Sequence, residues 1–250
     1  KPELMQAIPW MAPFLDERGH IVLSIHALVI ESADHTIVVD TCIGNDKPRT
    51  YPKWNLMQGD FLARFAAAGF TTEQVDTVLC THMHVDHVGW NTRWVDGRWQ
   101  PTFPRAQYLF AEDEWRHWRQ EAQEYGPVIE DSVQPIFDAG QAVIVAQQHQ
   151  VTDEVSLQPT PGHTPGHVSV RIQSRGEVAI ITGDMIHHPC QIAHPQWSTL
   201  ADTDPCAAAQ TRGAFLQHYG NQPVLVIGTH FSAPTAGHIV KDGNSYRLDY

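Results

Sequence analysis

Ten consecutive residues, Thr81-His82-Met83-His84-Val85-Asp86-His87-Val88-Gly89-Trp90, place three imidazoles and one carboxylate within six positions. On a helix, His82 and His84 would point to nearly opposite sides, because only residues three or four apart share a face. On an extended segment, residues two apart share a face. The pair can therefore aim at one point only where a strand end runs into a loop, and a turn must bring Asp86 and His87 back. Imidazole and carboxylate are ligands for zinc and similar borderline metals. A catalytic zinc takes about three protein ligands, and two metals need more. The rest of the chain supplies them: His163 in Thr160-Pro161-Gly162-His163, Asp184 after Gly183, and His230 in Gly228-Thr229-His230. That makes seven ligand-type residues. Six suffice for two three-ligand sites, and one carboxylate can bridge them.

The elements that must position these residues alternate strands with helices, an α/β pattern. Residues 1–19 read as a loose lead-in. Strands are expected over 21–30 and 36–39, with Asp40 at a strand end as an acceptor for a ligand imidazole. A helix beginning near Phe61 ends at Gly69, and residues 76–80 form the strand that delivers the histidine cluster. The stretch 90–103, broken at Asp96-Gly97, reads as a hairpin or flap. Helices are expected over 112–124, 128–139 and 204–219. Further strands are expected over 106–110, 143–145, 155–158, 168–172, 178–182 and 224–227. The two Pro-Gly pairs around His163 and His167 make a rigid loop, in which His163 is free to reach a metal and His167 supports the loop. No linker is evident, so one domain over 1–250 is expected.

Composition narrows the function further. The 28 acidic and 16 basic residues leave a formal net charge of −12. No Lys/Arg cluster is present to meet phosphates, which argues against nucleic acid and anionic membranes as partners. No apolar run is long enough to span a bilayer. The four cysteines form no C-x-x-C pair and read as buried reduced thiols. No signal-peptide pattern is visible, and a cytoplasmic location is expected. The sequence starts at Lys1 rather than Met, which leaves room for an upstream segment or a removed export signal. Apolar residues in the first twenty positions suit a homodimer contact.

The stretches THMHVDHVGW (81–90), PGHTPGHVS (161–169), TGD (182–184) and GTHF (228–231) resemble the metallo-β-lactamase superfamily. The resemblance implies an αββα sandwich, with two mixed sheets packed face to face, helices outside, and the site at one edge. It also implies two divalent metals, zinc above others. His82, His84 and His163 would hold one, Asp86, His87 and His230 the other, with Asp184 bridging. The C-terminal stretch 229–250 and the spacing of Asp202, Asp204 and Arg212 look most like the methyl parathion hydrolase and lactonase branch. Homoserine lactonases often carry a tyrosine three residues after the bridging Asp; here that residue is His187.

The expected reaction is two-metal hydrolysis of an ester-type bond: a lactone, a carboxylic ester or a phosphotriester in a small, partly apolar molecule. A metal-bridging hydroxide attacks, and the metals polarise the substrate oxygen. Asp86 and Asp184 serve as catalytic ligands, and Asp86 also suits proton transfer to the leaving group. His187 or His188 is placed to donate to the developing oxyanion. Trp54 and Trp90, with His187 and His188, are the expected substrate contacts. Alternatives are a thioester hydrolase of glyoxalase II type, which normally adds a C-terminal helical region, and a redox or purely metal-binding member of the fold.

Overall fold

The computed structural model describes residues 2–121 and 124–250. It opens with a short helix α1 (Pro2–Gln6) and a 3₁₀ turn at Ala12–Phe14. Met5, Ile8, Met11 and Phe14 recur every third residue, and all are buried. The described part of the expected lead-in is therefore not loose: its apolar stripe belongs to a hydrophobic core. Contacts gather the chain into two compact units, Ile25–Ala146 and Lys1–Ser24 with Gln147–Tyr250. Among the described residues, no helix is long and apolar enough to cross a membrane.

The middle unit holds β1 (Leu28–Ser32), β2 (His35–Val39), α2 (Phe61–Ala67), β3 (Thr77–Leu79) and α3 (Val85–Val88). It continues through the hairpin β4 (Thr92–Val95) and β5 (Arg98–Pro101), then β6 (Gln107–Ala111), α4 (Glu112–Trp118), α5 (Gln134–Asp138) and β7 (Ala142–Val145). Its main sheet has the order β1-β2-β3-β6-β7. β1 and β2 are antiparallel, while β2, β3, β6 and β7 run parallel. Parallel strands discharge at one edge, the usual place for ligand sites in open α/β sheets. Here β2 ends into Asp40, β3 into Thr81–His87 and β6 into the helix carrying Glu114. Val38, Val78, Tyr108 and Phe110 anchor these strands in a core with Val85 and Val88.

The other unit holds β8 (Val155–Pro159), β9 (Val168–Ser174), β10 (Glu177–Ile181), α6 (Cys190–Ala193), α7 (Pro205–Tyr219), β11 (Val224–Ile227), β12 (Ala236–Asp242) and β13 (Ser245–Asp249). Its sheet order is β13-β12-β11-β10-β9-β8. β10 and β11 are parallel, and β9 runs antiparallel to both β8 and β10. So β8, β10 and β11 share one direction. Their ends lead into His163, Asp184 and His230 along a single edge.

Several expectations are corrected. The strand over 21–30 is reduced to β1; residues 21 and 23 make only isolated bridges, and Ile21, Val22 and Leu23 stay exposed. The helix over 112–124 is α4, which stops at Trp118; residues 122 and 123 lie outside the described residues. The helix over 128–139 opens with a π turn at Ile129–Val133 before α5. Pro135 has no N–H to give the carbonyl of Asp131. That carbonyl instead accepts from Lys47 Nζ at 2.9 Å and from the Thr92 hydroxyl. The hairpin β12–β13 was not anticipated, although Asp242-Gly243 is a turn pair between alternating segments.

Candidate metal centre

In the middle unit the ligand-type residues hang on Asp40. Its backbone is left-handed (φ 57°), an uncommon state for a non-glycine residue, and its side chain is buried. Oδ1 accepts from Thr81 N at 2.8 Å. Oδ2 accepts from Thr81 Oγ1 and from His87 Nδ1, each at 2.8 Å. Since the Thr81 hydroxyl donates to Asp40, it accepts from His82 Nδ1 at 3.1 Å. Both imidazoles are thereby left with Nε2 as the lone-pair nitrogen. His82 Nε2 and His84 Nδ1 lie 3.0 Å apart, and His87 Nε2 lies 3.8 Å from Asp86 Oδ1. The turn required after His84 is α3, with His84 as its extended N-cap. Gly89 closes it against the loop after Asp40: a Cβ there would meet the Ile43 carbonyl carbon and oxygen at 1.9 Å. On the far side, Glu114 accepts from Met83 N at 2.9 Å and from Trp118 Nε1 at 2.6 Å. The Trp118 ring meets that of His84 at 5.2 Å.

In the other unit three imidazoles surround Asp184. His163 Nε2 is 3.5 Å and His187 Nε2 3.1 Å from Oδ2, and His230 Nε2 is 3.2 Å from Oδ1. Again the second nitrogens are held. His163 Nδ1 donates to Asp202 Oδ1 at 3.0 Å, and His230 Nδ1 to the Ser24 carbonyl at 2.7 Å. His167 works on the carboxylate from behind: its Nε2 accepts from Asp184 N at 2.9 Å, so its Nδ1 donates to Thr160 Oγ1 at 2.8 Å. That is the supporting role expected of it. His187 stacks on His230 at 5.9 Å, with its own N–H held by Gln191 Oε1 at 2.8 Å. Its Nδ1 is buried and meets no hydrogen-bond partner among the described residues. His188 differs. Nε2 donates to the Phe14 carbonyl and Nδ1 accepts from Cys190 N, so both nitrogens are engaged within the protein. Burial holds its pKa below the usual imidazole value, against the pull of the Phe14 carbonyl.

The donor set fits divalent cations. Four imidazoles each have one nitrogen fixed by a carboxylate, hydroxyl or carbonyl, and the other turned toward a ligand-type atom; this is the outer-shell pattern of ligating histidines. His84 presents Nδ1 instead. The buried, unpartnered nitrogen of His187 is a further sign of a site shaped for more than its own side chains.

A family model, the metallo-β-lactamase superfamily, matches residues 20–240. The chain belongs to the metallo-β-lactamase superfamily. The αββα fold class implied by the resemblance is thereby established for it. Among curated relatives, a probable metallo-hydrolase of Mycobacterium tuberculosis is 25% identical over 194 residues. That match covers 67% of this chain but 58% of the relative, so the chain spans little more than half the length of that protein. Among solved structures, the hydrolase AbOPH gives a TM-score of 0.80 at 24% identity, covering all of this chain and 90% of that one. AidC, described as a dizinc quorum-quenching lactonase bound to a homoserine product, gives 0.76 at 21% identity, covering 92% and 80%.

The remaining expected site residues are aromatic. Trp54 is half-buried, packed on Tyr51 at 4.9 Å and Tyr125 at 5.8 Å. Trp90 is buried and stacked on Phe61 at 5.2 Å. Glu114 and Gln191 were not identified from sequence. Glu114 sits in an acidic run that reads as the first turn of a helix, and nothing in its spacing marks it out.

Proposed function

We propose that the chain is a dinuclear-metal hydrolase that cleaves an ester-type bond in a small, partly apolar molecule. The observation that carries this reading is the matched preparation of the two ligand sets, each lying where same-direction strands end. His82, His84 and His163 would hold one divalent ion, Asp86, His87 and His230 the other, with Asp184 available to both. Zinc suits the imidazole and carboxylate donors, and AidC is described as dizinc. When bound, two such ions supply Lewis acidity toward the substrate oxygen and a water that ionises near neutrality.

The chain's own residues do the rest. Asp40, Asp202, Thr81 and Ser24 fix the imidazole tautomers so that the ligating nitrogens stay deprotonated. His187 donates a hydrogen bond to the oxygen on which negative charge develops, at the position where homoserine lactonases often carry a tyrosine. Asp86 takes the proton released by the attacking water and passes it to the leaving alkoxide. Trp54 and Trp90 contribute an apolar wall, and His188 holds the chain behind His187.

The test is direct. The purified chain is analysed for metal, then assayed on N-acyl homoserine lactones, aryl carboxylic esters and aryl phosphotriesters, before and after chelation and zinc restoration. Turnover of at least one class, lost on chelation and recovered with zinc, is the expected result. A folded, metal-loaded preparation that hydrolyses none of them refutes the proposal.

A further inference from the structure

Among the described residues Arg212 is the largest fully buried side chain, and its hydrogen bonds go to backbone carbonyls rather than to the proposed ligands. It lies on the inner face of α7, beside Ala208, Phe215 and Leu216. A buried guanidinium is costly unless its N–H groups are matched. Here they are matched by backbone: Nε donates to the Pro195 carbonyl at 2.9 Å, Nη1 to Met185 at 2.7 Å and Nη2 to Trp197 at 2.8 Å. Nη2 also lies 4.0 Å from Asp202 Oδ2. Burial lowers the Arg212 pKa, and Asp202 opposes that shift. A packed leucine or methionine would fill the same volume without that cost, so stability alone gives no reason for a cation here.

The carbonyls and the carboxylate explain the choice. Met185 directly follows Asp184. The Trp197 carbonyl is shared with Gln191 Nε2 at 2.9 Å, and Gln191 Oε1 holds the N–H of His187. Asp202 Oδ1 holds His163 Nδ1, and its Oδ2 is steadied by Thr199 N at 3.2 Å. The same helix and the two residues just before it pin the His163 loop elsewhere. Thr203 N donates to the His163 carbonyl, Asp204 N to that of Gly162, and Thr211 Oγ1 to that of Pro161. Gly162 makes room for this contact: at φ 132°, a Cβ there would lie 2.2 Å from Ala208 N.

We infer that Arg212, acting with Asp202, is the positioning group that sets the Asp184 turn and the His163 imidazole in one mutual geometry. The inference rests on the proposed metal-hydrolase reading. It assigns α7 a role in metal retention as well as in the core.

The experiment compares full-length wild type with Arg212→Lys, Asp202→Asn and Leu216→Ala. Lysine keeps the charge but cannot span three carbonyls. Leu216→Ala is a packing control on the same helix. Zinc affinity is read by competition with a chromophoric chelator, the ligand field by the visible spectrum of the cobalt-loaded protein, and metal-free stability by urea. Arg212→Lys and Asp202→Asn are each expected to weaken zinc by about tenfold to a hundredfold and to alter the cobalt spectrum. Leu216→Ala should lose stability yet keep wild-type affinity and spectrum. Should Arg212→Lys fail to fold, Asp202→Asn carries the same expectation with the guanidinium in place. Wild-type affinity and spectrum in whichever of the two variants fold overturn the inference alone, as does an equal loss in Leu216→Ala. A wild type that binds no divalent ion overturns the functional reading and this inference together.

Discussion

Asp40→Asn tests whether the imidazole tautomers are set from behind. The swap preserves shape and suits the left-handed backbone, which asparagine tolerates. It replaces an acceptor-only group by one with an acceptor and a donor. Asp40 receives three hydrogen bonds, from Thr81 N, Thr81 Oγ1 and His87 Nδ1, all at 2.8 Å. If the amide oxygen faces Thr81 N, the NH₂ meets the Nδ1–H of His87. Relief then requires moving that proton to Nε2, which removes the lone pair needed for a metal. If the amide is reversed, the NH₂ meets the N–H of Thr81 in a buried position. A hydrogen bond to a charged group contributes about 1.5–3 kcal/mol, which is about tenfold to a hundredfold in an equilibrium constant. The first arrangement loses that in zinc affinity, the second in stability of the metal-free protein. Chelator competition and urea unfolding of Asp40→Asn measure both. Wild-type values in both assays would refute the reasoning, because every orientation of the amide opposes two donors.

Other consequences are checked as simply. Burial draws the Lys47 ammonium down to about 7 from 10.5, with Asp131 pulling the other way. Between these values the unfolded chain holds the proton and the folded chain does not, so Lys47 makes stability rise with pH from about 7 to 10. Below 7 the folded state carries the buried cation in full. Lys47→Met should remove that rise, a difference on the order of a few kcal/mol in urea titrations across the range. Gly89→Ala should fail to fold or lose several kcal/mol, since its Cβ would overlap the Ile43 carbonyl. Circular dichroism and solubility report it. His167→Phe strands the Asp184 N–H, at about 1–3 kcal/mol, and leaves the Thr160 hydroxyl with Ser169 Oγ alone at 3.1 Å. Urea midpoints should fall accordingly, with weaker zinc retention.

The candidate ligands stand out in sequence because chemistry restricts them: few roles other than metal binding collect histidines at strand ends. Asp40 could be placed behind the candidate ligands because it ends a strand, and His167 because it shares a Pro-Gly loop with His163 and precedes a strand. Glu114 and Gln191 act through contacts across 31 and 4 positions, to Met83 N and His187 N, and neither spacing repeats a known pattern. Arg212 stood out only through its resemblance to relatives; its three carbonyl partners lie on loops that no periodicity describes. The N-terminal segment was misread because its prolines and glycines outweighed a three-residue apolar repeat. The strand over 21–30 was overextended because Ile21, Val22 and Leu23 have strand-type side chains but little sheet to join.

The four thiols carry a practical consequence. Cys42, two residues from Asp40, has its pKa pushed up to about 12 by loss of solvent and by the Asp40 and Asp86 carboxylates. Cys80 is driven up likewise by burial, and Cys190 to about 11. Such sulfurs stay protonated, so they compete poorly for soft ions and react slowly with electrophiles. Cys206 alone is exposed, at the first turn of α7. A maleimide dye at neutral pH should therefore mark the native chain once, next to the helix that braces the His163 loop. A fluorophore there would test loading of the proposed centre without a single engineered residue.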